Sequence, residues 1–287
     1  MIHRQQNKLI ELVIKVGLVS VLLLLPVSHA AQGVSARTPN QEQAQKELNE
    51  AARAYREGNF AEAQRHSERA LELDPENRSA PMFIARTIHA QYKPGDMSPE
   101  NLAKAREAIF AYQQLLLRTP NDDESYKAIA YLYGAIKEEE LLRDWLLKRA
   151  GDSSIQADKR AEAYIVLASK DWDCSFKITE LPTSKVTTVE GKKAVVQYLI
   201  PKDKTEYAKA VQCANRGLEM AEQAVVLNPE NETAWSYKAN LLLELVKLME
   251  MSGDAQQLSQ FQRRHDEALV QATNLSKAAQ SRTEKPD

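Results

Sequence analysis

The sequence predicts an all-α solenoid of about five helical hairpins, with a small β-hairpin inserted in the fourth. Three observations carry that expectation. First, the stretch Ala224-Val225-Val226-Leu227-Asn228-Pro229-Glu230-Asn231-Glu232-Thr233-Ala234 occurs again as Ala70-Leu71-Glu72-Leu73-Asp74-Pro75-Glu76-Asn77-Arg78-Ser79-Ala80, and more loosely as Leu117-Arg118-Thr119-Pro120-Asn121-Asp122-Asp123-Glu124. In each copy an amphipathic run ends on an aliphatic residue, a proline stops the helix, and an Asn or Asp stands ready to cap the next one. Second, nine glycines in 287 residues, with Ala, Leu, Glu, Gln and Lys abundant, favour helix through most of the chain. Third, a chain of this length is one or two compact domains or one continuous array, and a recurring corner selects the array.

The first thirty residues are of a different kind. Arg4, Lys8 and Lys15 precede the apolar run Val16-Gly17-Leu18-Val19-Ser20-Val21-Leu22-Leu23-Leu24-Leu25, which Pro26 ends, and Ser28-His29-Ala30 puts small residues where a signal peptidase reads. The run is about a dozen residues where a spanning helix needs roughly 18, so an uncleaved anchor is the weaker reading. Residues 1–30 therefore read as a signal peptide, with Val34-Ser35-Ala36 as a second cleavage candidate. The chain is expected to be exported from a bacterium, to the periplasm or beyond, and to keep no membrane span. No cysteine follows the apolar run, so lipid attachment is not expected. Cleavage would remove three basic groups and one acidic, leaving 35 Lys+Arg against 39 Asp+Glu, or −4 in place of −2. That balance offers no footprint for nucleic acid.

Residues 31–40 lack periodicity and read as a flexible leader, and a helical repeat domain is expected over 41–280. The first unit, over 47–77, carries small residues at Ala51, Ala63 and Ala70 on either side of Gly58-Asn59, and two antiparallel helices nest where small side chains let the backbones approach. The second unit pairs a helix over 78–92 with one that opens on Ser98-Pro99-Glu100, a cap, an N1 proline and a first-turn acid. Leu102, Ala105, Ile109, Tyr112 and Leu116 mark its buried face. The third pairs 124–136 with 138–149, where Leu141, Leu142, Trp145 and Leu146 form an apolar stripe. In the fourth, helices over 157–170 and 205–227 are separated by an insert, residues 172–204. Its β-branched runs 185–189 and 194–200 flank Glu190-Gly191-Lys192-Lys193 and predict a β-hairpin. The fifth opens with Trp235 and Ala239 and continues into Leu241–Met249, apolar on several sides and so expected to be buried. Gly253-Asp254 turns the chain into a capping helix with Leu258, Phe261, Ala268, Leu269, Ala272 and Leu275 on one face, and 281–287 reads as a disordered tail.

On these residues the chain resembles a tetratricopeptide-repeat (TPR) protein over most of its length. With Pro75 at the family's closing proline, Ala51, Gly58-Asn59, Ala63 and Ala70 fall on its small and turn positions, as do Trp235 and Ala239 in the fifth unit. With Trp172-Asp173-Cys174 and Glu232-Thr233-Ala234-Trp235-Ser236-Tyr237-Lys238, the whole is similar to exported bacterial TPR proteins of unknown role. The resemblance implies a non-catalytic scaffold that binds a protein or extended peptide of the cell envelope. The family register places Tyr55, Arg56, Arg86, His89, Lys127, Tyr131, Trp172 and Asn240 toward the concave groove, a lining suited to stacking and charge-assisted bonds to a peptide. The plainer alternative is that these residues pack between hairpins. The family's carboxylate-clamp pattern is not reproduced, so chaperone tails are not implied.

The remaining chemistry is sparse. Cys174 and Cys213 are the only cysteines, and in an exported chain a disulfide is the expected state, with two separate buried thiols or a redox role as alternatives. His66, His89 and His265 lie in different hairpins without ligand spacing, and no metal, cofactor or catalytic motif appears. Asp171, Asp173 and Cys174 form a small acidic cluster that reads as a solvated helix end, with cation ligation as the alternative. The second functional hypothesis is an envelope enzyme or small-ligand-binding protein with its site at the insert, using Asp171, Trp172 and Asp173.

Overall fold

A computed structural model describes residues 37–190 and 193–283, and both proposed cleavage positions lie outside them. The order is α1 (Pro39–Arg56), α2 (Phe60–Leu73), α3 (Ala80–Gln91), α4 (Pro99–Arg118), α5 (Asp123–Ala135), α6 (Glu139–Gly151), α7 (Ala157–Thr179), β1 (Lys185–Glu190), β2 (Lys193–Tyr198), α8 (Lys204–Leu227), α9 (Glu232–Ser252) and α10 (Ala255–Thr283). Successive helices pack on one another in an all-α array of hairpins, and α7 touches α9 as well as α8. The two strands form the insert of the fourth unit.

The repeated corner works as its residues dictate. The Asn77 side-chain oxygen accepts from the Ser79 and Ala80 amides at 2.9 Å, Asp122 from the Ser125 amide at 2.7 Å, and Asn231 from the Ala234 amide at 3.0 Å. Each bond satisfies a donor that the first turn of a helix leaves open. At the start of the array, Thr38 Oγ1 accepts from the Gln41 amide while the Gln41 side chain accepts from the Thr38 amide, a reciprocal cap with Pro39 at the first helical position. Helix therefore begins at Pro39, inside the segment read as leader. Gly58 turns the chain between α1 and α2 at φ +79°, a conformation that costs a side chain little only when there is none. Ala51, Ala63 and Ala70 are fully buried and let those two helices nest.

Unit two closes its long loop through a residue that periodicity did not single out. Asn101 accepts from the Lys93 amide at 2.8 Å and donates to the Lys93 and Asp96 carbonyls at 2.9 and 2.6 Å, so one buried amide holds the loop against α4.

Several sequence expectations need correction. α7 runs to Thr179, about two turns past Lys170, so Trp172, Asp173 and Cys174 are helical and the insert is residues 180–203. Leu141 is 48% exposed because the buried face of α6 runs through Leu142, Leu146 and Arg149. Leu269 is also 48% exposed, since α10 buries Ala268 and Ala272 and packs on α9. Within the run expected to be wholly buried, Leu243 faces solvent while its neighbours do not. Residues 281–283 continue α10, and 284–287 lie outside the described residues.

The hairpin pairs antiparallel with Lys185 opposite Tyr198 and Glu190 opposite Lys193, and the Leu199 amide extends the ladder to the Ser184 carbonyl at 2.8 Å. Residues 191–192 of its turn are outside the described residues.

Candidate functional site

The first helices of the hairpins carry all eight residues expected in the groove, and five of them line two hollows. Near the N-terminus, Tyr55, Arg56 and Arg86 line a hollow of about 330 Å3 with Ala52 and Phe83. Tyr55 meets Phe60 edge-on at 5.2 Å, and the Arg86 guanidinium grips Glu124 on α5 with two of its nitrogens. Further along, Lys127 and Tyr131 line a hollow of about 720 Å3 with Ala130, Val166, Asn231 and Thr233. Lys127 reaches Asp123 at 2.8 Å and Glu162 at 3.2 Å, so its charge is already balanced. Tyr131 is 51% exposed.

His89 stands beside the second hollow, against Tyr131. Its ring lies 5.8 Å from those of Tyr112 and Tyr131, with Nδ1 3.3 Å from the Tyr112 hydroxyl, and burial lowers its pKa and favours the neutral form. Trp172 and Asn240 do not join this set. Trp172 is half-buried against Phe176 at 4.8 Å and Tyr237 at 6.2 Å, and Asn240 is exposed on α9 and lines neither hollow.

The other concentration of polar chemistry is in the fourth unit. Cys174 and Cys213 form a disulfide between α7 and α8, their Cα atoms 6.0 Å apart. One turn before Cys174, Asp171 is buried at 2% exposure. It accepts from Arg216 Nε at 3.0 Å and from Arg143 Nη1 at 3.2 and 3.3 Å, while Arg216 Nη2 bonds it as well. The solvated helix end expected here is therefore a buried carboxylate clamped by two guanidiniums, because the helix continues and turns Asp171 inward. Gly217 permits that approach: a Cβ there would sit 2.6 Å from Leu241 Cδ2 and 2.8 Å from Asp171 Cβ. Asp173, by contrast, faces solvent and pairs with Lys177.

Two turns on, the base of the hairpin is tied to α9. Glu244, 1% exposed, accepts from Ser175 Oγ at 3.1 Å, Thr179 Oγ1 at 2.7 Å and Lys247 Nζ at 2.7 Å. Lys247 also donates to Glu180 at 2.8 Å and lies over the Phe176 and Tyr198 rings at 5.2 and 5.3 Å. Glu180 further receives Lys185, and the bonds from Lys185 and then Lys247 pull its pKa down to about 2. None of Arg143, Ser175, Thr179, Arg216, Glu244 and Lys247 was singled out from sequence. The one local signal was Glu244 and Lys247 three apart within an apolar run.

Among the described residues no group of three or more His, Cys, Asp or Glu is placed to hold a metal ion. His66 pairs with Glu47 at 2.7 Å and His265 with Asp266 at 3.0 Å, each in its own hairpin.

Helix pairs nested on small residues, joined by a repeated Pro-Asx corner and closed by a capping helix, make this a TPR-like helical-repeat protein. The chain is similar in shape to solved structures of such proteins. One is MamA from Desulfovibrio magneticus RS-1, residues 41 to the end, with 15% identity and TM-score 0.41 over 84% of this chain and 97% of that one. Another is a tetratricopeptide repeat protein from Parabacteroides merdae ATCC 43184, with 12% identity and TM-score 0.35 over 82% and 93%. A third is a thermophilic TPR protein from Thermus thermophilus, with 16% identity and TM-score 0.29 over 79% and 99%. No protein-family model matches the chain. No curated protein matches it.

Proposed function

We propose that this is an exported scaffold that binds another protein or an extended peptide of the cell envelope in its inner groove, without catalysis or cofactor. The observation that carries the reading is the solvent-open surface around Tyr131, where an exposed ring stands beside His89 and Lys127 over a 720 Å3 hollow with apolar walls. Such a surface offers a peptide an aromatic platform and apolar pockets, while Arg86–Glu124 and Lys127–Glu162 hold charges that a partner's own charges could exchange with. Export is supported by the signal-like N-terminus and by a disulfide, a bond that persists in oxidising compartments. No described helix is long and apolar enough to cross a membrane. The insert-centred enzyme reading loses the residues named for it, since Asp171 and Asp173 are held by cations and Trp172 packs on aromatic neighbours.

Photo-crosslinking in the native host tests this reading, with a crosslinker at Tyr131 or Arg86 and mass spectrometry of the adducts. One dominant envelope protein captured from both positions is the expected result. Capture only from the 180–203 insert moves the site out of the groove, and no capture from any position overturns the scaffold reading.

A further inference from the structure

A third hollow, of about 420 Å3, lies between α6 and α8 over α7. Part of its wall, from Asp173 to Ile178, comes from the turns that α7 adds beyond Lys170. Leu142, Leu146, Leu167 and Ile178 give it an apolar floor. Around them stand five cations, Arg143, Lys170, Lys177, Lys209 and Arg216, against three carboxylates, Glu139, Asp171 and Asp173, a local balance of +2 on a chain whose formal charge is −2.

The pairing within this ring leaves a defined surplus. Lys170 pairs with Glu139 and Lys177 with Asp173. Asp171 balances one of the two guanidiniums it touches. Arg143 gives it only Nη1, leaving Nε and Nη2, and Arg216 gives it Nε and Nη2, leaving Nη1. Lys209, exposed and two helical turns before Arg216, has no hydrogen-bond or ion-pair partner among the described residues. The buried Asp171 holds both guanidiniums in place before any ligand arrives, which is how anion sites keep their donors oriented. The volume falls in the range of small-ligand pockets.

We propose that this hollow binds a small organic anion, with its phosphate or carboxylate on Arg143, Lys209 and Arg216 and its apolar body on the leucine floor. The site shares Leu142, Leu146 and Lys170 with the hollow beside Tyr131, but Arg143, Lys209 and Arg216 line it alone, and it does not depend on the peptide reading. Net charge favours a phosphate monoester over a monocarboxylate, and the floor favours either over a bare ion.

The test is calorimetric titration of the full exported chain with decyl phosphate, decanoate, inorganic phosphate and decyltrimethylammonium. Decyl phosphate is expected to bind more tightly than decanoate, with inorganic phosphate and the ammonium at least tenfold weaker. Lys209→Glu should weaken decyl phosphate tenfold or more at unchanged melting temperature, and Lys46→Glu, an exposed reversal on α1, should leave it unchanged. Equal binding of the ammonium would reduce the site to a greasy patch and overturn the proposal, as would equal binding of inorganic phosphate or an unaltered affinity in Lys209→Glu. Tyr131→Ala should not change the titration, which keeps this result distinct from the fate of the groove.

Discussion

The first hairpin and the fourth share one building plan, two helices nested on alanines, yet different forces hold them. Between α1 and α2 the buried side chains are nearly all apolar, and the one buried hydroxyl, Ser67, bonds back to its own helix at Ala63. Most charges there stay outside, as in Arg53–Glu50 and Arg69–Glu72, and the partly buried His66–Glu47 pair joins the two helices. Between α7, α8 and α9 a disulfide, a buried aspartate and a buried Glu–Lys pair are added to an apolar core of Leu218, Leu241, Leu242, Leu245 and Leu248. Exposed pairs contribute little, whereas a buried ionic group tolerates only the partner it was placed beside. The first hairpin can therefore adjust, and the fourth is pinned at the point where its insert leaves the array.

The contrast can be broken at its strongest point with Lys247→Ala. It leaves Glu244 buried without its counter-charge, and removal of one partner of such a pair costs about 3–5 kcal/mol. Chemical denaturation should show that loss, with hydrogen exchange rising in α7 to α9 while α1 and α2 stay protected. Reduction of Cys174–Cys213, or Cys213→Ala, should come next. The bridge spans 39 positions, for which the chain-entropy argument gives roughly 4 kcal/mol before any native-state strain is subtracted. A melting curve that does not move on reduction would mean that packing alone holds α7 to α8.

Acid gives a gentler separation of the two regions. Glu180 has its folded pKa drawn down from an ordinary 4.5 to about 2, so its contribution is complete above about 4.5 and fades as pH falls toward 2. Between those values the hairpin should lose its tie to α9, as followed by amide exchange of its two strands. Glu180→Gln should remove that pH dependence. The smallest effect is expected for Arg86→Ala, whose pair with Glu124 is nearly half exposed on both sides: under about 1 kcal/mol of stability, measured by denaturation. A larger loss there would show that the N-terminal units also rely on ionic ties.

How far the chain could be read without coordinates differs between the same two regions. Where a helix face is apolar, as in Leu48, Ala51 and Ala54 of α1 or Ala105, Ile109 and Tyr112 of α4, period and burial agree and the elements were legible. In α7 the buried face continues through Asp171, Ser175 and Thr179, spaced as a helix requires but polar, and so the apolar period stops near Lys170 while the helix does not. The groove was legible only as a register: Lys127 and Tyr131 meet over one hollow, while Trp172 packs on aromatic neighbours.

Sequence alone determined the number of hairpins, their corners and the presence of a β-hairpin in the fourth, and it made a Cys174–Cys213 bridge the expected state, because each depends on residues close in the chain or on composition. Tertiary structure alone decided that α7 outlasts its apolar stripe, that Arg143 and Arg216 converge on Asp171, and that Glu244 receives Ser175, Thr179 and Lys247. Those partners lie up to 69 residues apart, and a polar residue announces burial only through the group that satisfies it.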